Sequence, residues 1–278
     1  MSAQAQTQAQ TPSQVQPREA ALVADSHVVL EGGGIPVTRA LPTRGVTYER
    51  VDPWLMLDEG KLESLPPGGF PPHPHRGFEI LTYIVEGAFS QEDDKGNSSG
   101  EVRAGGLLRT TAGRGMWHGE GGGGLAGPLR ALQLWINLPR AQKQIPPSVQ
   151  AVQAEQIPEQ TIGDARVRVL VGEGSPTEVK RPALYLDATL PAGGTTDLSV
   201  PAGFQGFAFL LDGSGAFGSN ALQAQQRQVV LLGAAGQAGQ SGGETTFAVR
   251  AGTNGVRFVL AAGQPIGETP RWNGPYVD

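Results

Sequence analysis

The sequence predicts an all-β protein of two tandem domains, and three observations carry that prediction. Glycine (41) and proline (22) supply more than a fifth of the 278 residues. That is roughly twice the average share, which disfavours a helical bundle and favours short strands joined by tight turns. The apolar residues alternate with a period of two, as in Val167-Arg168-Val169-Leu170-Val171, in stretches of Glu79 to Val85, and in Arg257-Phe258-Val259-Leu260, the pattern of half-buried strands. Finally, the chain echoes itself. Tyr83-Ile84-Val85-Glu86-Gly87-Ala88-Phe89 resembles Phe209-Leu210-Leu211-Asp212-Gly213-Ser214-Gly215-Ala216-Phe217, an aromatic-led strand, an acidic residue with a glycine turn, and a return strand opening Ala-Phe.

Taken in order, the chain begins with a segment in which six Gln and six Ala fill 12 of the first 24 residues. Such a stretch cannot bury enough surface to offset its ordering entropy, so residues 1–27 are expected to be a disordered Ala/Gln-rich tail. Structure is expected to start near Val28. A first domain then runs over residues 28–147 and a second over 148–278, with the boundary near Pro146-Pro147 and Pro158. The best candidate for a short helix is Ser148 to Gln156, where helix formers dominate between prolines.

Composition excludes several kinds of chemistry. There is no cysteine, hence no disulfide framework, thiolate zinc site, iron–sulfur cluster or thiol nucleophile. Lys+Arg 21 against Asp+Glu 26 gives a net charge of −5, with no basic cluster to grip a phosphate backbone, so direct nucleic-acid binding is not expected. No apolar run reaches the length of about 18 residues that crosses a bilayer, so no membrane contact is expected. The opening MSAQAQTQAQTPSQVQ has neither a basic nor an apolar signal region, and a cytoplasmic protein is the expectation.

Four histidines remain, and three of them lie in two compact motifs, Gly69-Phe70-Pro71-Pro72-His73-Pro74-His75-Arg76-Gly77-Phe78-Glu79 and Gly113-Arg114-Gly115-Met116-Trp117-His118-Gly119-Glu120. In an extended strand, residues two apart project from the same face. His73 and His75 then share a face, as do His118 and Glu120. Two such pairs on facing strands can converge on one ion as a set of three imidazoles and one carboxylate, which suits iron(II), manganese, nickel, copper or zinc better than magnesium or calcium. The fourth histidine, His27, stands alone.

These same residues carry a resemblance. His73-Pro74-His75-Arg76-Gly77-Phe78-Glu79 and Gly115-Met116-Trp117-His118 resemble the two metal motifs of the cupin superfamily. More specifically, the chain resembles the pirin family. The further blocks that carry this are Asp52-Pro53-Trp54-Leu55-Met56-Leu57-Asp58, Thr111-Ala112-Gly113-Arg114-Gly115 and Leu132-Gln133-Leu134-Trp135-Ile136-Asn137-Leu138-Pro139. They run in family order over about residues 35–140. The second half matches more loosely, through Leu190-Pro191-Ala192-Gly193 and the run from Gly263 to Pro275.

The resemblance implies two tandem cupin (jelly-roll) β-barrels, a bicupin, with one divalent metal in the first. The metal implied is Fe(II), with Mn, Ni, Co, Cu or Zn as alternatives. The ligands carried over are His73, His75, His118 and Glu120. Glu79 holds the position of the usual fourth cupin ligand but falls on a different step of its strand, and it is kept as a group behind the ligands. The second half has no histidine. Matching the two echoes places Ser199, Pro201 and Gln205 opposite His73, His75 and Glu79, so a metal-free second domain is expected.

Two functions follow as expectations. The first is a quercetin 2,3-dioxygenase-like oxygenase. Its small aromatic substrate would bind at an open metal position, Glu120 would accept the flavonol hydroxyl proton, and dioxygen addition would open the ring with loss of carbon monoxide. Phe70, Phe78, Met116 and Trp117 flank the ligands as candidate pocket residues, and Arg76 and Arg114 as loop-orienting or anion-binding residues. The second is a regulator that binds a protein partner without turnover. Any redox sensing would then reside in the metal, since there is no thiol.

Overall fold

The computed structural model describes residues 15–64, 69–121, 127–234 and 243–278. Among these, the chain is built almost entirely of strands. The helical parts are one α-turn at Tyr48–Val51 and 3-10 turns at Arg140–Gln142 and Ala154–Gln156.

The first domain pairs a seven-stranded sheet with a three-stranded one. The larger runs in the order Ser148–Val152, Leu107–Thr111, Phe78–Glu86, Leu129–Asn137, Trp54–Leu62, Ile35–Leu41, His27–Glu31. The smaller runs Phe70–His75, Met116–Glu120, Gln91–Asp93. The second domain is a ten-stranded sheet organised around the long strand Glu244–Gly263, which pairs with Ala183–Leu190, Thr195–Pro201 and Gln205–Phe217.

Strand parity explains what each face does. Thr195–Pro201 buries only Thr196, Leu198 and Val200, the alternation of a strand with one wet face. Phe78–Glu86 is buried on both faces over its first seven residues. Its Leu81 and Tyr83 join the core shared with Tyr185, Phe207 and Phe209 of the second domain. Phe78 and Ile80 face the other way, toward Met56 and Trp135. The large sheets of the two domains thus pack on each other, leaving the opposite face of the first sheet free to line a site.

Polar pins cross this apolar seam. Tyr83 Oη donates to Asp187 Oδ2 at 2.6 Å, while Arg257 holds the same carboxylate at 3.1 and 2.7 Å. Arg130 of the first domain reaches Glu59 on its own sheet and both Asp212 and the Leu211 carbonyl on the other. Tyr83 and Asp212 lie in the two echoing segments, which occupy the corresponding strands Phe78–Glu86 and Gln205–Phe217.

Two expectations change. Residues 1–14 of the expected tail lie outside the described residues, but its end is not disordered. Gln16–Pro17 pairs with the Glu244–Gly263 strand, and Ala20–Asp25 pairs with Gln228–Leu232. The apolar run Ala20-Ala21-Leu22-Val23-Ala24 suffices to close a sheet edge, with Ala20 and Ala24 buried. Arg18 is also buried, its guanidinium donating to the carbonyls of Phe204, Pro201 and Ala202. The expected helix from Ser148 to Gln156 is instead a strand, Ser148–Val152, followed by one 3-10 turn. Its residues pair antiparallel with Leu107–Thr111, and that sheet pairing overrides helix propensity. The chain therefore crosses twice. Its amino-terminal strand completes the second sheet, and Ser148–Val152 completes the first.

Candidate metal centre

The strand Phe70–His75 carries prolines at 71, 72 and 74, which have no N–H to give, and it lies at the edge of the small sheet as such a strand must. It pairs antiparallel with Met116–Glu120, setting His118 opposite His73 and Met116 opposite His75. A register shift between His118 and Glu120 bends the second strand there. The three imidazoles converge. Ring centroids lie 4.7 Å apart for His73–His75 and His73–His118 and 5.0 Å apart for His75–His118. One ring nitrogen from each falls within 4.8 Å of the others. Among the described residues, this is the group of three side chains that could hold a metal ion.

Glu120 stands beside the triad rather than within it. Its Oε2 is 3.8 Å from His73 Nε2, and its side chain is 2% exposed against 32% for His73. Gln133 Nε2 approaches both Glu120 oxygens, at 3.4 and 3.3 Å, and Gln133 Oε1 accepts from Trp135 Nε1 at 3.1 Å.

Hydrogen bonds orient two of the rings. The Pro71 carbonyl can only accept, so its 2.8 Å contact puts the proton of His73 on Nδ1 and leaves Nε2 with a free lone pair. Gln91 Oε1 faces His118 Nδ1 at 3.1 Å and also accepts from Thr110 Oγ1 at 2.8 Å. Burial, reinforced by His118 and His73, pushes the His75 imidazole down to about 2, the Pro275 backbone working in the opposite direction. Burial also lowers His118, against the pull of Glu120. Both are neutral at physiological pH, the form that ligates.

The donor set fits a metal ion. His118 Nε2 and both ring nitrogens of His75 are buried and make no well-formed hydrogen bond among the described residues. An unsatisfied buried polar group costs about 1–3 kcal/mol. One such nitrogen from each of these two rings, beside a ring nitrogen of His73, is what a cation with imidazole ligands would satisfy.

The site opens into a cavity of about 440 Å³ between the two sheets of the first domain. Phe70, Met56 and Trp135 give it apolar walls, Arg39 and Asp58 a polar end, and Trp272 and Pro275 a contribution from the carboxy-terminal segment. Arg39 is fixed there by Asp58, at 2.9 and 2.6 Å, and by Glu31.

The remaining candidates divide between the two sides of the small sheet. Phe70 lines the cavity. Phe78 is fully buried, stacked on Trp135 at 4.1 Å and edge-on to His75 at 5.3 Å. Met116 and the half-exposed Trp117 instead line a polar groove of about 620 Å³ that also includes Arg76 and Arg114. Arg76 is paired with Asp278 and covers the Tyr276 ring. Glu79 does not reach the site. It shares parity with Leu81 and Tyr83, faces the second domain, and accepts from Thr111 Oγ1 and the Lys180 N–H at 2.7 and 2.8 Å. In the second domain Ser199 donates to Glu244, and the Pro201 carbonyl takes Arg18.

Gln91, Gln133 and Trp135 are functional candidates that motif spacing did not single out as such. Gln133 and Trp135 lie in the quoted Leu132–Pro139 block, and their parity on Leu129–Asn137 was the available signal for an inward position.

A two-domain cupin protein with a histidine triad in its first domain is the class that this fold and site define. The Pirin family model matches residues 34–136, and that of the Pirin C-terminal cupin domain matches residues 185–278. "Pirin-like protein At1g50590" of Arabidopsis thaliana is 38% identical over 259 residues, covering 89% of this chain and 80% of the relative. Pirin of Rattus norvegicus is 34% identical, covering 89% and 82%. The chain belongs to the pirin family. Among solved structures, quercetin 2,3-dioxygenase from Acinetobacter baumannii superposes with a TM-score of 0.81 at 26% identity, covering 94% of this chain and 92% of that one. No helix among the described residues is long and apolar enough to cross a membrane.

Proposed function

We propose that the protein is a metal-dependent dioxygenase acting on flavonol-type planar aromatic substrates, with His73, His75, His118 and Glu120 as the metal-binding set and iron(II) as the metal. The observation that carries this reading is the convergence of three imidazoles beside a buried carboxylate at the end of a largely apolar cavity. The likeness to a quercetin 2,3-dioxygenase supports it.

An ion held there supplies Lewis acidity and one-electron chemistry toward dioxygen. The chain's own part is to bind, orient and move a proton. The cavity walls receive the flat rings and exclude water. Glu120, with an oxygen 3.8 Å from His73 Nε2, accepts the proton of the substrate hydroxyl, and Gln133 holds that carboxylate in its aim. Burial lowers the basicity of the His75 and His118 rings, which makes them weaker competitors for that proton.

The test is to load metal-stripped protein with iron(II), manganese or nickel, add quercetin and oxygen, and follow flavonol loss and carbon monoxide. Turnover should fall by about 100-fold or more in Glu120→Gln. Wild-type protein indistinguishable from that variant with every metal would refute the reading.

A further inference from the structure

The carboxy-terminal segment crosses from the second domain back to the metal cavity of the first. Trp272–Asn273 and Tyr276–Val277 form a small hairpin, and its attachment is specific. The Arg76 N–H donates to the Pro275 carbonyl at 3.2 Å and the Val277 N–H donates to the Arg76 carbonyl at 2.9 Å, one residue from His75. Val277 is fully buried among Phe78, Trp135 and Met56. Gly77 has φ +90, and a Cβ there would stand 1.8 Å from the Val277 carbonyl, so only glycine lets the hairpin dock this closely.

The hairpin presents one large ring to the cavity. Trp272 is 41% exposed, whereas Trp135 beside it is 7% exposed. Its Nε1 donates to the Gly274 carbonyl at 2.8 Å, which fixes the indole without using its face. The ring lies 6.0 Å from Trp135, tilted by 32°. Trp135 in turn sits 5.2 Å from His75. An immobilised, half-uncovered indole in line with the ligands is a ready surface for another flat ring.

We propose that Trp272 is a specificity-determining residue, the stacking wall that selects planar aromatic substrates for the cavity. This rests on the substrate class proposed above and names the residue that reads it. It also assigns a task to the second domain, which delivers its own carboxy terminus to the other domain's site.

The test compares wild type, Trp272→Ala and Trp272→Phe as full-length protein, using equilibrium binding of quercetin and of 2,3-dihydroxynaphthalene together with quercetin turnover. Trp272→Ala should bind both compounds about fivefold to tenfold more weakly and raise KM more than it lowers kcat. Trp272→Phe should recover most of the affinity, and thermal midpoints should be unchanged because the ring is half-exposed. If Trp272→Ala binds like wild type, or Trp272→Phe as weakly as Trp272→Ala, the proposal is overturned. Binding that responds to these variants without quercetin turnover in wild type would uphold the stacking wall and defeat the dioxygenase reading. A wild type that binds neither compound would overturn both.

Discussion

Gln133 points its amide at both carboxylate oxygens of Glu120, at 3.4 and 3.3 Å, while the Trp135 indole N–H holds the other end of that amide at 3.1 Å. The contact with Glu120 is long, so it steers the carboxylate without locking it. Gln133→Leu keeps the volume and removes the steering. Turnover should drop about 10-fold to 100-fold, the usual cost of losing a group that orients a site residue. Gln133→Glu should be worse still, because a second carboxylate would face the first. Steady-state kinetics on both variants, with circular dichroism to confirm the fold, checks this.

Gln91 plays the matching part for His118, whose ring it meets at 3.1 Å from the neighbouring strand. Gln91→Leu frees the ring to turn and to take the wrong tautomer. Metal affinity should weaken by about 10-fold to 100-fold. Competition with a chromophoric chelator measures this directly, without any turnover assay.

Burial raises the Glu79 carboxyl above the ordinary glutamate range, more than its bonds to the Lys180 N–H and Thr111 lower it. The folded protein therefore keeps a proton that the unfolded chain releases near pH of about 4.3. Stability attributable to Glu79 is present at acid pH and is lost as pH rises toward the folded value. Glutamine has the same shape, can accept from Lys180 and donate to Thr111, and does not ionise. Glu79→Gln should thus gain on wild type as pH rises from about 4 to 7, by about 1.4 kcal/mol for each unit by which the pKa is raised. Urea unfolding across that range is the measurement. A difference that is constant with pH would contradict it.

Removing residues 1–26 should damage a domain that lies mostly in the second half of the chain. The Gln228–Leu232 strand would lose its partner Ala20–Asp25, and the carbonyls of Pro201, Ala202 and Phe204 would lose Arg18. An exposed apolar edge of this kind aggregates. Light scattering and a lowered unfolding temperature should report it.

The triad was legible in the sequence because strand spacing alone puts His73 with His75 and His118 with Glu120. What surrounds it depends on which strand lies next to which, and local pattern does not encode that. Gln91 reaches His118 only because Gln91–Asp93 pairs with Met116–Glu120. Glu79 looked close along the chain, yet one step of parity turns it toward the other domain. Ser148–Val152 looked helical because propensity is local, whereas the open edge of Leu107–Thr111 that captures it is not. At Ala20–Asp25 a Gln-rich neighbourhood hid a short apolar run that needed only one partner strand.

The crossed strands also set a timetable for synthesis. Ala20 emerges from the ribosome well before its partner Leu232, which lies more than two hundred residues later. At typical translation rates that is a gap of roughly 10 to 40 seconds. The first domain can complete its large sheet once Val152 is out, whereas the second must recover a strand made about two hundred residues earlier. Throughout that interval the nascent chain carries an unpaired apolar strand ahead of the first domain, and a holding chaperone would find its substrate there.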